Sequence, residues 1–409
     1  MPDVSFVNLL VVAAIALAAP MVVGFFRRIR IPAVVLEIVA GIAVGPHGFG
    51  WVKVDLPIQI LALMGLAFLL FLAGLEIDIV RLRGRLIRLA GLGFLVTVGL
   101  GIAAGYAFDA TGVVKSPLLV GIALMATSLG LVVPVLKDAG QAETELGQLT
   151  IAGASVADFG AIVLLTFFFS GSSGGPGAKL LLFGGFAALV AFAALALSRI
   201  GRSMRLEGLL VRLQDTTAEI RVRFAVLLLV GFVALAERLG LETILGAFIA
   251  GAILNLVDRD SMSTHPNFHL KLEAIGYGFL VPVFFVSSGL RFDLDSLVNS
   301  PSAFARVPLF LLALLVVRAV PAALYARTSG RRGAVAAGLL QATSLPFLVT
   351  ATSIGVTLGE ISAVNGAAMV SAGLVSVIVF PLVALGLLGS GNDASGPAEP
   401  SGPLTANMT

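Results

Sequence analysis

The sequence predicts an all-α polytopic membrane protein of about thirteen transmembrane helices, arranged as an inverted repeat around two interrupted, crossing helices. Three observations predict it. Of 409 residues, 58% are hydrophobic and 12% charged, with a mean hydropathy of +1.06, a balance foreign to soluble globules. Apolar stretches of roughly 20 residues, the length needed to cross a hydrocarbon core of about 30 Å, recur from end to end. The phrase Ala-Thr-Ser-Leu stands inside two of those stretches, at 126–129 and 342–345.

Taken in order, the first run, 4–26, has no basic residue ahead of it and reads as an uncleaved first helix. The second, 31–46, is short and carries Glu37, placed either in an aqueous funnel or in a helix contact. The third, 57–76, closes on Gly74-Leu75-Glu76-Ile77-Asp78, with Glu76 and Asp78 at the interface. The fourth, 89–108, offers Gly101 and Gly105 as a small-residue packing face. Runs five (117–136) and six (147–170) hold the first Ala-Thr-Ser-Leu, Pro134 and Asp158. Runs seven, eight and nine span 180–198, 222–239 and 242–257. Run ten (273–290) ends in Gly289-Leu290-Arg291-Phe292-Asp293, and run eleven (305–326) carries Arg318. Run twelve (333–357) holds the second phrase, and run thirteen spans 361–388. Asn8, Gln341 and Asn365 can join helices by hydrogen bonds. The Gly-, Ser- and Pro-rich tail, 389–409, reads as short cytoplasmic disorder.

Charge placement gives an orientation. Nineteen of the 26 basic residues fall on one side of the runs and six on the other, with Arg318 within a span, so the N-terminus is expected outside and the C-terminus inside. That topological bias accounts for the pI of 9.5 without a nucleic-acid partner. No cysteine is present, which excludes disulfides and thiolate metal sites, and no phosphate loop supports ATP-driven transport. The pair His265 and His269 has metal-like spacing but sits in a polar loop around Pro266, and with His47 it forms no metal cluster. No cofactor is called for.

The interval between the two Ala-Thr-Ser-Leu phrases, from Ala126 to Ala342, is nearly the interval between the endings of runs three and ten, from Gly74 to Gly289. An odd number of helices separates each pair, which makes the repeat inverted. Within each phrase, a nearby proline (Pro134, Pro346) removes a backbone donor while Thr127, Ser128, Thr343 and Ser344 can bond the freed groups. Runs five and twelve are therefore expected to break near the bilayer midplane, where crossed helix ends of both polarities make a site for a small ion. An ordinary kink, with the hydroxyls bonding their own helix, is the alternative.

Asp158 lies well inside run six, with Ser155 one turn before it. A carboxylate at that depth is costly and marks a functional site by default. Such a group can hold a proton and release it when a cation arrives. Arg318, in LFLLALLVVRAVPAAL, stays charged and can balance an empty, ionised Asp158. A permanent structural pair between them is the other reading.

Five stretches in order, PAVVLEIVAGIAVGPHGFG (32–50), FLAGLEIDI (71–79), ATSLGLVVPVLKDAG (126–140), ELGQLTIAGASVADFGAIVL (145–164) and PVFFVSSGLRFDL (282–294), resemble the monovalent cation:proton antiporter-2 family. The resemblance implies a transporter, not an enzyme, that exchanges protons for Na⁺ or K⁺. It also implies a dimer in which a moving core, 85–170 and 303–388, works against a scaffold, 1–80 and 200–300, joined by a linking helix in 171–199. The family's membrane aspartate falls on Asp158 and its core basic residue on Arg318. Ala157 stands where an acid or Gln is frequent, Arg318 where Lys is, and ATSLPF where many relatives carry Gly-Glu-Phe. Combined with the residues above, this gives an alkali cation alternating with H⁺ at Asp158, with Thr127, Ser128, Ser155 and backbone oxygens completing its shell. One carboxylate favours one-for-one, electroneutral exchange in a bacterial plasma membrane. An organic-anion carrier using Arg318 and the positive helix ends, and a non-transporting sensor or assembly subunit, fit the same residues.

Overall fold

The computed structural model describes residues 5–25, 32–76, 85–169, 219–260, 267–299 and 301–389, with a few isolated positions between 177 and 188. Among them every regular element is helical. In order these are α1 (Phe6–Phe25), α2 (Ala33–Val44), α3 (Leu56–Leu75), α4 (Arg85–Ala110), α5 (Pro117–Met125), α6 (Leu129–Asp138) and α7 (Glu145–Phe169). There follow α8 (Ile220–Arg238), α9 (Thr243–Asp260), α10 (Asn267–Ile275), a π turn (Gly276–Leu280), α11 (Val281–Leu290) and α12 (Leu294–Val298). The chain ends with α13 (Pro301–Ala319), a 3₁₀ segment (Val320–Tyr325), α14 (Ala326–Gln341), α15 (Pro346–Thr357) and α16 (Ala363–Gly389).

Seven stretches among the described residues are long and apolar enough to cross a membrane, and Ala33–Val44, Pro117–Val133, Thr243–Leu256 and Pro346–Thr357 are shorter apolar helices. The protein is an integral membrane protein. Twelve of the thirteen apolar runs coincide with helices. Run seven, nearly all of 171–199, the tail beyond 389, Asp78, His265 and most of the arginines that set the orientation lie outside the described residues.

Local chemistry explains how the elements begin and meet. Asp55 caps α3 by accepting from the Ile58 N–H at 3.2 Å, and its other oxygen accepts from Asn8 Nδ2 at 3.3 Å, tying α1 to the start of α3. Gly101 lets α4 lie against α5, because a β-carbon there would come within 3.0 Å of the Gly121 carbonyl. His47, after α2, meets Asp295 at 2.9 Å, joining that end to α12.

The helices pack in two groups. α2 and α3 pack on α11, α3 packs on α9, α8 on α9, and α1 on α2 and α11. In the second group α4 packs on α5 and α7, α7 on α14, and α16 on α13, α14 and α15. Where the groups meet, α7 touches α9 and α2 touches α16. The candidate site lies at this seam.

Candidate functional site

The first Ala-Thr-Ser-Leu interrupts run five. α5 ends at Met125, Ala126 to Ser128 are non-helical, and α6 starts at Leu129. The break does not fall at Pro134, which lies inside α6; the expectation that Pro134 marks the interruption is corrected to Ala126–Ser128. A physical reason is visible in the acceptors. Thr127 N–H donates to Asp158 Oδ1 at 2.9 Å and Leu129 N–H to Asp158 Oδ2 at 3.2 Å, so a carboxylate from α7 replaces the carbonyl partners of a continuing helix. In the second phrase the break spans Ala342–Leu345, and Pro346 opens α15 at its first position, where a missing N–H costs nothing.

The two breaks touch each other. Ser128 N–H donates to the Thr343 carbonyl at 2.8 Å, and the Thr127 hydroxyl donates to the Gln341 carbonyl at 2.7 Å. Ser344 N–H donates to Ser376 Oγ of α16 at 3.2 Å. The Ser344 hydroxyl itself is buried with no hydrogen-bond partner among the described residues.

Asp158 and Arg318 sit at helix ends of opposite polarity. Asp158, on α7, faces the positive N-terminus of α6 through the two N–H bonds. Arg318, 2% exposed near the end of α13, donates from Nε to the Gln341 carbonyl at 3.2 Å, the negative C-terminus of α14. Nε also donates to Thr127 Oγ1 at 2.9 Å, as does Nη2, and Nη1 donates to Thr97 Oγ1 at 3.2 Å. Thr97 is tied by its own hydroxyl to the Gly93 carbonyl at 3.0 Å. Gln341 Nε2 extends the network to the buried Tyr325 hydroxyl at 3.2 Å. Asp158 and Arg318 thus form no direct ion pair among the described residues. Thr127 stands between them, with its backbone on one and its hydroxyl on the other.

A cavity of about 70 Å³ opens beside Asp158, lined among others by Thr127, Ser128, Tyr277, Phe285 and Phe347. A larger cavity of about 420 Å³ lies on the far side of α11 and α15, where Phe284 and Val349 line it with Glu242, Arg291 and Thr352. Burial raises the Glu242 carboxyl, in the loop before α9, above the usual carboxylate range. Phe284 and Val349 line the larger space, while Phe285 and Phe347, on the same two helices, line the smaller one.

Of the residues singled out in the sequence, Asp158, Thr127, Ser128, Thr343, Ser344, Pro346 and Arg318 meet at the crossover. Ser155 does not: its hydroxyl donates back to the Ile151 carbonyl at 2.9 Å, and it does not line the cavity. Glu37 is 4% exposed within α2 and lines neither cavity. Sequence reasoning misses Thr97 and Tyr277. The tyrosine has one signal, since the chain holds only three and Tyr277 falls within an apolar run.

The family model for the transmembrane sodium/hydrogen exchanger matches residues 12–387. A candidate Na⁺/H⁺ antiporter of Bacillus subtilis, YjbQ, is 31% identical over 400 residues; the match covers 93% of this chain and 63% of that protein, so the chain spans less than two thirds of that relative's length. An Na⁺/H⁺ antiporter of Enterococcus hirae is 33% identical over 301 residues, covering 71% of this chain and 73% of that protein. The solved sodium proton antiporter MjNhaP1 of Methanocaldococcus jannaschii shares the fold, with a TM-score of 0.68 at 17% identity, over 98% of this chain and all of that one.

Proposed function

The chain belongs to the sodium/hydrogen exchanger family, and from that membership and the crossover we propose that it exchanges protons for Na⁺ or K⁺ across a membrane, with Asp158 binding H⁺ and cation in turn. The observation that carries this is a single carboxylate held by two backbone N–H groups at a broken helix, beside a small cavity. Two N–H donors stabilise the ionised form without filling all its lone pairs, so an oxygen remains for a proton or a hard cation. Arg318 is spent on the α14 terminus and Thr127, so it tempers the empty site through one intervening residue rather than occupying it.

Several finer readings belong to the same proposal. The quoted motifs favour the antiporter-2 branch. An inverted repeat is supported by helix register: the starts of α4 and α13, Arg85 and Pro301, are separated by the same interval as the two Ala-Thr-Ser-Leu phrases. The starts of α7 and α16, Glu145 and Ala363, are separated by nearly that interval, and their alignment puts Ser376 opposite Asp158 in the repeat. The second half therefore offers a hydroxyl where the first offers a carboxylate, in keeping with one exchange group and one-for-one, electroneutral stoichiometry. The second helix group is the moving core, the first the scaffold of a homodimer, and alternating access is elevator-like. The membrane is the bacterial plasma membrane, with the N-terminus outside.

Proteoliposomes with a trapped pH indicator test the assignment. Pulses of Na⁺, K⁺ or Li⁺ should drive proton efflux for the wild type, and Asp158→Asn should abolish it while retaining monodisperse, folded protein. Proton movement that survives in Asp158→Asn would remove Asp158 from the exchange.

A further inference from the structure

The polar groups facing the 70 Å³ cavity, Asp158, Thr127 and Ser128, come from α7 and the break between α5 and α6. The opposite wall is built by α2, α3, α9 and α11, which present Val34, Leu69, Leu70, Ala73, Phe248 and Phe285, all apolar. Tyr277 is the exception on that wall. It rides on the π turn Gly276–Leu280, a single widened turn inserted between α10 and α11. Such turns rotate the residues they carry relative to a regular helix and recur at functional sites.

The place taken by the Tyr277 hydroxyl is also specific. It lies 3.4 Å from where a β-carbon would stand on Gly130, the second residue of α6, and no other described residue outside that helix turn comes within 4 Å of that point. That places the phenol oxygen beside the same helix terminus whose N–H groups hold Asp158. Tyr277 is 41% exposed as a residue and lines the cavity beside Asp158. A neutral oxygen in this position can accept a cation or orient its water without adding charge to the exchange.

We propose that Tyr277 is a specificity-determining residue of the ion cavity, supplying from the opposing helix group the oxygen that discriminates among alkali cations of different radius. The inference rests on the assignment of Asp158 as the exchange group. Because Tyr277 and Asp158 belong to different helix groups, its oxygen serves the ion only when the groups stand in the register seen here. An ion that fits both walls is thereby favoured in this register, and one that fits Asp158 alone is not.

The test compares wild type, Tyr277→Phe and Gly130→Ala in proteoliposomes, measuring apparent KM and maximal rate for Na⁺, Li⁺ and K⁺ separately. Tyr277→Phe keeps the ring and removes the oxygen; the KM of the preferred ion should rise about tenfold, the scale of one lost contact to a charge, with the other ions less affected and the maximal rate retained. Gly130→Ala should change the same ion ratio in the same direction by a smaller factor, because its methyl group would stand in van der Waals contact with the hydroxyl and cover one side of it. Equal KM changes for all three ions, or none, would overturn the role of Tyr277. If Tyr277→Phe fails to fold, an unchanged ion ratio in Gly130→Ala overturns it. Flux that persists in Asp158→Asn would instead overturn the site on which the inference rests.

Discussion

Thr127 donates its backbone N–H to Asp158 while its hydroxyl accepts from Arg318 and donates to the Gln341 carbonyl, so a valine at this position separates the two roles. Thr127→Val keeps the carboxylate's N–H bond and removes the acceptor of Arg318 Nη2, while Nε keeps the Gln341 carbonyl and Nη1 keeps Thr97. Its expected cost is on the order of 1–3 kcal/mol, the range for an unmet buried donor, seen as a lower melting temperature in detergent. Thr127→Ser should restore the wild-type value; an unchanged melt for valine would mean that Arg318 finds a new partner. Glu242 supplies a pH-dependent counterpart. Burial raises its folded-state pKa above the ordinary 4.5, so its contribution is fully present below that value and is lost as pH rises through the raised one. Glu242→Gln should therefore lose less melting temperature than wild type as pH rises from about 4.5, and an equal slope would refute the burial effect. At this scale the sequence shows chemistry well where polarity is out of place. Asp158, Arg318 and Thr127 are conspicuous in apolar runs. Ser155 is equally conspicuous but bonds its own helix, and Tyr277 gains its position from a π turn that no residue pattern announces.

At the scale of elements, each interruption forms where another part of the molecule satisfies the freed backbone. In run five the acceptor is Asp158, far downstream of Thr127 in the chain, and the break sits at Ala126–Ser128 beside it. Pro134 falls well within α6 and does not define the break. Pro134→Ala is accordingly expected to transport at a rate within about twofold of wild type, as substitutions away from a special feature usually leave function intact. Loss of flux in a folded Pro134→Ala protein would return the proline to the mechanism. In run twelve the proline does coincide with the start of α15. The difference explains why the interruptions were legible as a pair but not both in position: proline reports a local restriction, whereas a carboxylate acting through space carries no local mark. Helix existence was legible throughout the described runs because apolar length alone decides it.

Across the whole molecule, the two helix groups meet at a narrow seam, and the proposed exchange site lies there, with one cavity beside Asp158 and a larger one lined by α11 and α15. The repeat spacing and the family resemblance are what suggest a core and a scaffold in the sequence. The packing face of α4 was legible in Gly101 and Gly105, which meet α5; the closeness of α2 to α11 was not, since it joins segments remote in the chain. The central claim at this scale is that one carboxylate serves both ions, which makes proton and cation compete. The decisive measurement is the initial rate of cation-driven proton flux in proteoliposomes as a function of cation concentration, repeated across pH on the cation-binding side. Competition at Asp158 predicts an apparent KM that rises as pH falls, with a constant maximal rate. A maximal rate that falls with pH at constant KM would contradict a shared site and assign the two ions to separate groups.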